Sequence, residues 1–499
     1  MSERNPTSVA VIGGGIAGLA TSLNLLDEAN RRDHPIQVTT FEKDNEPGGN
    51  LRTLRLDEWQ LEWGPNGFLD NEPATLRLVK RLDLNDQLQR SSDATRRRFL
   101  LVGGRLREIP TSPWAFLKSD LLPTGAKLRM AGELFIPQRK NLGRAAEDAT
   151  HDETIAQFGN RRLGRAFTRI MLDPMVKGIF GGEAHKLSLA AAFPRMVELE
   201  KEYGGLFKAM FALGREKKKR REKKKQGKGR TDAGPTGTLH SFDGGMAALI
   251  DAIEAALAID DRAELITGSD VQRIRPHAVG WFISDKEREH GPFDAVIEAT
   301  PAHAAVQHLG HLSPDLQLKL AAIPFAPMAV IALGFDRTAI THDLDGFGLL
   351  VPGCEKRELL GSLWTSSIFQ GRTPTGKVLL RCMAGGSGNP GVMDLDDEGL
   401  VTLVLAELRS LLGIKGSPEM ARVIRHQRAI AQYLPGHLAR LRSLERSISD
   451  FPGLFLTGSS YRGISVNSCV KEAEATAGNV LDHLVGKTGR AAPPPTEAV

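Results

Sequence analysis

The stretch Val9-Ala10-Val11-Ile12-Gly13-Gly14-Gly15-Ile16-Ala17-Gly18 decides the fold. Its first four residues form a short, mainly β-branched run, which is the sequence pattern of a buried strand. A helix with apolar periodicity is predicted next, over about residues 19–29. A second strand then follows over Ile36–Phe41 and ends in Glu42. Strand, glycine loop, helix, strand and acid occur here in the order that a dinucleotide-binding fold requires.

The glycines of this loop have distinct predicted tasks. Gly13 permits the tight turn, Gly15 lets the backbone approach a pyrophosphate, and Gly18 allows the helix to pack on the strand. Glu42 is placed to accept hydrogen bonds from an adenosine ribose, whereas a chance glycine turn would leave it exposed without a ligand. The cofactor contacts predicted in this segment are Gly13, Gly14, Gly15, Ile16, Ala17, Gly18 and Glu42.

The choice between FAD and NAD depends on the residues that follow. A second glycine pair, Gly48-Gly49, comes just after the predicted ribose acid, and residues 62–67 form another turn rich in backbone contacts. Domains that bind only NAD usually continue directly into the next helix. Three glycine turns within the first 67 residues therefore favour the longer cofactor, FAD.

Length and composition limit the class of protein. With 499 residues, 41% apolar content and 25% charged residues, the chain is long enough for two or three domains with buried cores. Disordered, collagen-like and membrane-bundle compositions are excluded. The three cysteines are too few and too scattered for a disulfide framework or a zinc site, so a reducing compartment is expected.

The net charge of +5 comes from one segment. Residues 215–230 contain eleven Lys or Arg against two Glu, a local charge of +9, which leaves −4 for the rest of the chain. We therefore expect no nucleic-acid binding. The segment is predicted to be a disordered surface loop, with contact to anionic lipid or another polyanion as the alternative. Residues 487–499 are predicted to be a disordered tail.

Five further stretches resemble the FAD-dependent protoporphyrinogen oxidases, a group within the amine-oxidase-like flavoproteins. The resemblance runs from Val9 to about Leu484 and occurs in the family's order. The stretches are residues 62–68, residues 98–110, residues 178–188, residues 363–386 and residues 454–469. Two departures are Gly458-Ser459, where many relatives of the wider class have glycine and an acid, and the lysine-rich insertion.

The resemblance implies a mixed α/β and helical architecture woven from discontinuous segments. A Rossmann-like FAD-binding domain would comprise residues 1–85, 230–301 and 440–486. A mixed-sheet substrate-binding domain would take residues 86–110, 187–229 and 302–439. Residues 111–186 would form a helical, membrane-associating domain.

The resemblance also implies further contacts to one non-covalent FAD per chain. The turns would contribute Gly49, Asn50, Gly64, Pro65, Asn66 and Gly67, and Val271 would meet the adenine. Ser459, Ile464, Ser465 and Val466 would face the pyrimidine side of the flavin. At that position the N–H groups of a helix N-terminus would stabilise negative charge on the reduced ring.

On the substrate side, the resemblance implies that Arg98 pairs with a propionate. Leu350, Leu363 and Met383 would sandwich the macrocycle. Without the resemblance, Leu350, Leu363 and Met383 are as readily explained as ordinary core residues. Arg98 is then equally well explained as one of three solvated arginines, together with Arg96 and Arg97. No catalytic side chain and no metal site is assigned, because the thirteen histidines form no convincing pair with a carboxylate and no Ser or Thr triad is recognised.

The implied activity is the six-electron oxidation of protoporphyrinogen IX to protoporphyrin IX, with O2 as acceptor and H2O2 as product. A hydride would pass from a methylene bridge to flavin N5 three times. Oxidation of coproporphyrinogen III to coproporphyrin III on the same fold is the main alternative. Another flavoenzyme of the class, such as an amine oxidase or a carotenoid desaturase, and a non-catalytic flavin-binding protein are more distant alternatives. Three tyrosines and five tryptophans offer little for the aromatic cage of an amine oxidase.

Partners and location are expectations as well. No signal or transit peptide is recognised, and no window is apolar enough to span a membrane, so a cytoplasmic protein is expected. Residues 112–137, with apolar residues beside Lys118, Lys127 and Arg129, form either an interfacial element on the inner face of the cell membrane or a helical pair packed on its own domain. Transfer of product to a downstream chelatase and the choice between monomer and homodimer stay open.

Overall fold

The protein is described by a computed structural model that covers residues 6–224 and 237–488. Its strands, in chain order, are β1 (Thr7–Ile12), β2 (Ile36–Phe41), β3 (Thr53–Leu56), β4 (Trp59–Glu62), β5 (Phe68–Leu69), β6 (Leu88–Arg90), β7 (Phe99–Val102), β8 (Arg105–Glu108), β9 (Leu239–Phe242), β10 (Ala263–Ile266), β11 (Arg273–His277), β12 (Gly280–Ser284), β13 (Glu289–Phe293), β14 (Ala295–Glu298), β15 (Phe325–Asp336), β16 (Gly348–Leu350), β17 (Leu359–Trp364), β18 (Lys377–Gly385), β19 (Met420–Ala431) and β20 (Leu454–Leu456).

The helices of the described residues are α1 (Ile16–Arg32), α2 (Pro73–Arg81), α3 (Pro113–Lys118), α4 (Thr124–Ala131), α5 (Ile155–Arg162), α6 (Arg165–Phe167), α7 (Asp173–Phe180), α8 (Leu189–Ala192), α9 (Pro194–Tyr203), α10 (Leu206–Lys224), α11 (Ala247–Ala258), α12 (Ala302–Leu309), α13 (Pro314–Ala321), α14 (Thr365–Ile368), α15 (Asp397–Leu412), α16 (His437–Ser449) and α17 (Val466–Thr488). A π-helical turn, Thr168–Leu172, joins α6 to α7.

A five-stranded parallel sheet holds the N-terminal glycine loop. Its order is β10-β2-β1-β14-β20, so strands from both ends and the middle of the chain lie side by side. The predicted strand–loop–helix–strand order is confirmed, with one difference in bounds. Helix α1 begins at Ile16, three residues before the predicted start, because Gly15 already has the extended backbone of an N-cap. The mixed α/β architecture is therefore confirmed.

A seven-stranded mixed sheet forms the second layer, in the order β19-β15-β18-β17-β16-β7-β8. Only β16 and β7 pair in parallel. Because side chains alternate across a strand, one face of this sheet packs on α15 and the other faces the cofactor segments. The α15 side is a dry core that includes Phe335, Trp364, Leu380, Leu400 and Leu408.

The helical segment is fixed by buried ion pairs. Arg161 lies 2.6 Å from Glu153 and 2.8 Å from Glu200, which is fully buried. The carboxylate of Glu133, also buried, accepts hydrogen bonds from the N–H of Leu206 at 2.8 Å and of the next residue at 3.1 Å. These oxygens satisfy the unpaired amides at the start of α10. Helices α9 and α10 are thus joined to the preceding helices.

The lysine-rich segment is not the loop that the sequence predicted. Helix α10 continues through Lys224, so the first ten residues of the segment are helical. Lys, Arg and Glu are good helix formers, and this propensity outweighs the self-repulsion of like charges. Residues 225–230 lie outside the described residues. At the C-terminus, α17 reaches Thr488, and the remainder of the predicted tail lies outside the described residues.

Every helix of the described chain is too short or too polar to cross a lipid bilayer.

Candidate functional site

The glycine loop presents open backbone on one side. Gly13 has a φ of 105°, which an L side chain rarely adopts, and a Cβ added there would lie 3.0 Å from Thr300. A Cβ at Gly15 would meet no atom within 4 Å. The N–H of Gly48 donates to the carbonyl of Gly14 at 2.7 Å, so the second glycine pair lies against the first loop. The two loops therefore form one wall beside an open space.

Glu42 is buried at the end of β2 and is already partly bonded. One carboxylate oxygen accepts from the N–H of Gly14 at 2.8 Å, and the other accepts from the N–H of Asp44 at 2.9 Å. Each oxygen retains a further lone pair for a ligand hydroxyl. The backbone carbonyl of Glu42 accepts from the N–H of Ser269 at 2.9 Å, which brings the segment of buried Val271 to the same end of the sheet.

The turn of residues 62–67, called here the 62–67 turn, continues this wall. A Cβ added at Gly64 would lie 2.5 Å from the carbonyl oxygen of Asn50, so the two predicted contacts adjoin. Two buried donors in this region have no hydrogen-bond partner among the described residues, Nε of Arg52 and Nδ2 of Asn66. Buried donors without an acceptor are costly, and they indicate a ligand rich in acceptor oxygens.

The C-terminal turn closes the site from the opposite side. A Cβ added at Gly458 would lie 3.7 Å from that of Ala17 in the first turn of α1. The hydroxyl of Tyr433 donates to the carbonyl of Ser459 at 2.6 Å and accepts from the N–H of Gly463 at 2.8 Å, so it bridges both ends of this turn. Ile464, Ser465 and Val466 then lead into the N-terminus of α17.

These four turns and Val271, drawn from distant parts of the chain, make one elongated cradle. The open glycine backbone suits a pyrophosphate, the Glu42 carboxylate suits a ribose, and the unpaired donors suit further oxygen atoms. The cradle therefore fits a dinucleotide such as FAD. The predicted cofactor residues lie together along it.

The predicted substrate residues lie on one face of the seven-stranded sheet, which we call the substrate face. Leu350 of β16 pairs with Gly361 of β17, and Gly361 pairs in turn with Met383 of β18. Leu363 lies two residues after Gly361 on β17. By strand alternation the three side chains point to the same side. All three are half-buried, whereas residues on the α15 side are fully buried. Helix α7 covers part of this face, because a Cβ at Gly178 would lie 2.9 Å from the side chain of Leu350.

Arg98 differs from its arginine neighbours. Arg97 pairs with Glu108 at 3.0 Å, and Arg96 pairs with Asp93 at 3.2 Å. Within the described part of the chain, Arg98 has no ion pair, and its guanidinium lies over the ring of Phe347 at 5.2 Å. This exposed cation precedes β7, the strand beside β16. Arg98 is therefore available to an anionic ligand, whereas Arg96 and Arg97 are already paired with carboxylates.

Sequence reasoning missed two side chains of the substrate face and two histidine pairs. Arg381 on β18 and His426 on β19 both donate to the 62–67 turn. An arginine inside an otherwise apolar strand was the available signal for the first.

The statement that no histidine pairs with a carboxylate is wrong. His308 lies 2.8 Å from Glu298, and His290 lies 2.9 Å from Asp285. Burial lowers the pKa of His308, but the Glu298 carboxylate, together with Asp270 and the backbone of Val271, raises it, and the net shift is upward. Glu298 also accepts from the N–H of Thr300 at 3.0 Å. The first pair joins β14 to α12, and the second lies in the β12–β13 hairpin. Neither pair lies on the substrate face.

Comparison with known proteins extends these observations. The profile of the family described as flavin containing amine oxidoreductase matches residues 16–481. A coproporphyrinogen III oxidase of Bacillus subtilis is 27% identical and aligns over 95% of this chain and 98% of its own. A chloroplastic protoporphyrinogen oxidase of Oryza sativa is 30% identical over 95% of this chain and 88% of its own.

Among solved structures, a candidate protoporphyrinogen oxidase from Exiguobacterium sp. 255-15 is similar with a TM-score of 0.78 and 23% identity. The match covers 96% of this chain and 99% of that one. Cyclohexylamine oxidase from Brevibacterium oxydans is similar with a TM-score of 0.67 and 16% identity, over 96% of this chain and 100% of the other. Both structural likenesses concern the fold.

Proposed function

The chain belongs to the flavin containing amine oxidoreductase family, and from this premise we propose that it oxidises a porphyrinogen to the corresponding porphyrin. The family resemblance noted in the sequence is confirmed. As a member, the chain is a flavin-dependent oxidoreductase, and the dinucleotide cradle around Glu42 identifies the flavin as FAD.

One observation carries the choice of substrate class. The substrate face presents three half-buried apolar side chains, Leu350, Leu363 and Met383. Arg98, which has no ion pair among the described residues, lies just before a neighbouring strand. A flat apolar ligand with a carboxylate at its edge satisfies both features at once. A guanidinium forks onto a carboxylate with two parallel hydrogen bonds, so it also fixes the orientation of that edge.

The residues of this chain bind the substrate, orient it and exclude water from it. Arg98 holds a propionate, and the apolar side chains of the substrate face hold the macrocycle in a dry environment. When bound, FAD supplies two-electron oxidation, with hydride accepted at N5 and electrons passed on to O2. The N–H groups at the N-terminus of α17 would stabilise the negative charge that develops on the reduced flavin. No side chain is assigned as a general acid or base.

The stoichiometry follows from the electron count. Conversion of a porphyrinogen to a porphyrin removes six electrons and six hydrogens, so three two-electron rounds are needed. Each round consumes one O2 and yields one H2O2. The overall balance is one porphyrinogen and three O2 giving one porphyrin and three H2O2.

Protoporphyrinogen IX is our first candidate substrate, and coproporphyrinogen III is the second. The Oryza sativa relative is named for the former, and the Bacillus subtilis relative is named for the latter. The two differ at the macrocycle edge, because coproporphyrinogen carries four propionates and protoporphyrinogen two. The number of cationic side chains near Arg98 therefore decides which of the two porphyrinogens is the better substrate.

The test is an anaerobic titration of the purified yellow protein with each porphyrinogen, followed by the loss of flavin absorbance. We expect bleaching by protoporphyrinogen at stoichiometric amounts and recovery of colour when O2 is admitted. Preferential bleaching by coproporphyrinogen would reassign the substrate. A protein that is bleached by neither, or that purifies without colour, would contradict the proposed oxidation.

We further propose that residues 112–137 contact the inner face of the cell membrane. Trp114 is 68% exposed, Leu128 is 70% exposed and Phe135 is 87% exposed, and cationic side chains adjoin them. Exposed aromatic and leucine side chains beside lysines are typical of an interfacial element. A porphyrinogen is apolar enough for such a location to shorten its path to the site.

The membrane proposal is tested by sedimentation with anionic vesicles. Phe135→Ser together with Trp114→Ser should reduce the bound fraction, and higher salt should reduce it further. Ile259→Ser is the matched control, because Ile259 is equally exposed, at 87%, on another part of the molecule. An equal effect of the control, or no binding by the unmodified chain, would contradict the proposal.

A further inference from the structure

Three consecutive backbone carbonyls of the polypeptide are held by side chains of the seven-stranded sheet. Nη2 of Arg381 donates to the carbonyl of Gly64 at 2.6 Å, and its Nε donates to that of Glu62 at 3.4 Å. Nε2 of His426 donates to the intervening carbonyl, that of Trp63, at 3.1 Å. Glu62 and Gly64 are respectively the first and third residues of the 62–67 turn.

The position of Arg381 on its strand makes it a boundary residue. Two residues before it on β18, Leu379 is buried under Trp59 and Leu61 of the β3–β4 hairpin. Two residues after it, Met383 lies on the open part of the substrate face. By alternation all three strand positions point the same way. Arg381 therefore lies where the cofactor segment ends and the substrate-binding surface begins.

The chemistry of these donors fits a role in geometry. Burial lowers the pKa of Arg381 to about 10, so the guanidinium is still charged at neutral pH. Burial also lowers the pKa of His426, so this ring is neutral there and donates from its Nε2–H tautomer. A buried guanidinium is expensive, and an apolar residue could fill the same strand position more cheaply. What the apolar residue could not do is hold two backbone carbonyls in a fixed plane.

We propose that Arg381 and His426 are positioning residues that fix the 62–67 turn above the substrate face and so set the separation between FAD and the porphyrinogen. This inference rests on the proposed function. Neither side chain contacts the predicted propionate anchor, Arg98. Their loss should therefore disturb the approach of the reacting atoms more than the binding of substrate.

The expected kinetic signature is a fall in kcat with little change in KM. A displacement of about 1 Å between reacting groups lowers a rate about 100-fold. For Arg381→Met we expect kcat to fall about 10- to 100-fold and KM to change less than about threefold. Arg381→Lys should recover only part of the loss, because an ammonium group cannot hold two carbonyls in one plane.

The matched control is Arg372→Met. Arg372 is also a buried arginine, with 1% exposure, and like Arg381 it attracts the Glu62 carboxylate electrostatically. It donates hydrogen bonds to the Ser241 hydroxyl and the Phe242 carbonyl on β9, and to none of the three carbonyls of the 62–67 turn, so it separates the effect of charge from that of holding the carbonyls. Its replacement removes a comparable buried guanidinium. We expect its kcat to remain within about threefold of the unmodified enzyme once FAD is bound.

A second pair of variants covers the case in which Arg381→Met does not fold. His426→Gln keeps an N–H donor near Trp63, and His426→Phe does not. We expect His426→Phe to lower kcat about tenfold and His426→Gln to restore most of it. The visible circular dichroism of bound flavin and the rate of FAD release should change in the same order, Phe more than Gln.

Each outcome has a distinct meaning. Equal kcat losses in Arg372→Met and Arg381→Met, a rise in KM without loss of kcat, or equal effects of Gln and Phe at position 426 would overturn the inference. If the unmodified enzyme oxidises no porphyrinogen, the proposed function fails separately. The FAD-release rates and flavin dichroism then decide the positioning role on their own, and values unchanged by either substitution at position 426 would reject it.

Discussion

The carboxylate of Glu42 accepts a hydrogen bond from the backbone N–H of Gly14, at 2.8 Å. This bond joins the end of β2 to the glycine loop that follows β1, so the predicted ribose ligand also stabilises the predicted phosphate-binding loop. The packing is close, since a Cβ at Gly14 would lie 2.8 Å from that of Glu42. Cofactor binding and loop structure are consequently coupled through a single side chain.

Replacement of Glu42 by Ala should weaken FAD binding by about 1–3 kcal/mol, because hydrogen bonds to a charged group are lost. Isothermal titration of the apoprotein with FAD measures this directly. Glu264→Ala is the control, because Glu264 is an exposed carboxylate on the adjacent strand β10. An unchanged affinity in Glu42→Ala would remove Glu42 from the cofactor site.

Replacement of Arg98 by Ala should raise KM about ten- to a hundredfold, the equivalent of a charge-assisted pair of roughly 1.5–3 kcal/mol. FAD content should stay the same, and Arg98→Lys should recover only part of the loss. Steady-state kinetics with the porphyrinogen give the values. Arg96→Ala is the control, because Arg96 is exposed and paired with Asp93. If both alanine variants behave alike, Arg98 is an ordinary surface arginine.

Tyr433→Phe tests the bridge across the C-terminal turn. The hydroxyl contacts both Ser459 and Gly463, so its removal leaves a carbonyl and an amide without their partner. We expect the free energy of unfolding of the holoprotein to fall by about 1–3 kcal/mol and FAD to dissociate faster. Urea denaturation and flavin fluorescence provide the measurements. Tyr203→Phe, at a partly exposed tyrosine, should have neither effect.

The pH dependence of stability should contain a contribution from His437. Burial lowers the pKa of this histidine to about 4. Below pH 6.5 the unfolded chain binds a proton that the folded chain does not accept until about pH 4, so stability falls as the pH falls through this window. The contribution is roughly 3 kcal/mol in total. His437→Gln should make the decline between pH 6.5 and pH 4 shallower in urea titrations, and parallel declines would contradict the assignment.

Acid precipitation should release all the flavin into the supernatant. Burial raises the pKa of the Cys382 and Cys469 thiols to about 12, so neither supplies a thiolate for attachment at neutral pH. Absorbance of the pellet and supernatant at the flavin maximum is the measurement. Colour that stays in the pellet after washing would mean a covalent link.

The cofactor half of the candidate site carries stronger signals in the sequence than the substrate half. Glycine turns carry local signals, since the backbone approaches and positive φ angles at Gly13 and Gly458 exclude larger residues. The direction of a side chain in a buried strand carries no such signal. Strand alternation places Leu363 and the neighbouring Ser362 on opposite faces, but which of them lies on the substrate face follows only from the pairing of β16, β17 and β18 and the packing of α15.

Arg381 was missed and the lysine-rich segment was wrongly predicted for the same physical reason. In both cases the deciding contacts are with residues distant in the sequence, and the sequence alone does not reveal such contacts. Arg381 hydrogen-bonds residues more than 300 positions away, so its role could not be derived from its neighbours. The lysine-rich segment was assigned by charge alone, while its helix is continuous with an N-terminus capped by Glu133. Tertiary context decided both cases.

The strand order of the cofactor sheet has a consequence for biosynthesis. Among the strands of this sheet, β1 is translated first, its neighbour β14 comes almost 300 residues later, and β20, which completes the sheet, is made last. At roughly 5–20 residues per second, the ribosome needs about 20–90 s to supply that last strand. During this interval the nascent chain has an incomplete binding site and exposed strand edges, so FAD can be captured only after β20 has been made, and protection of the growing chain falls to chaperones.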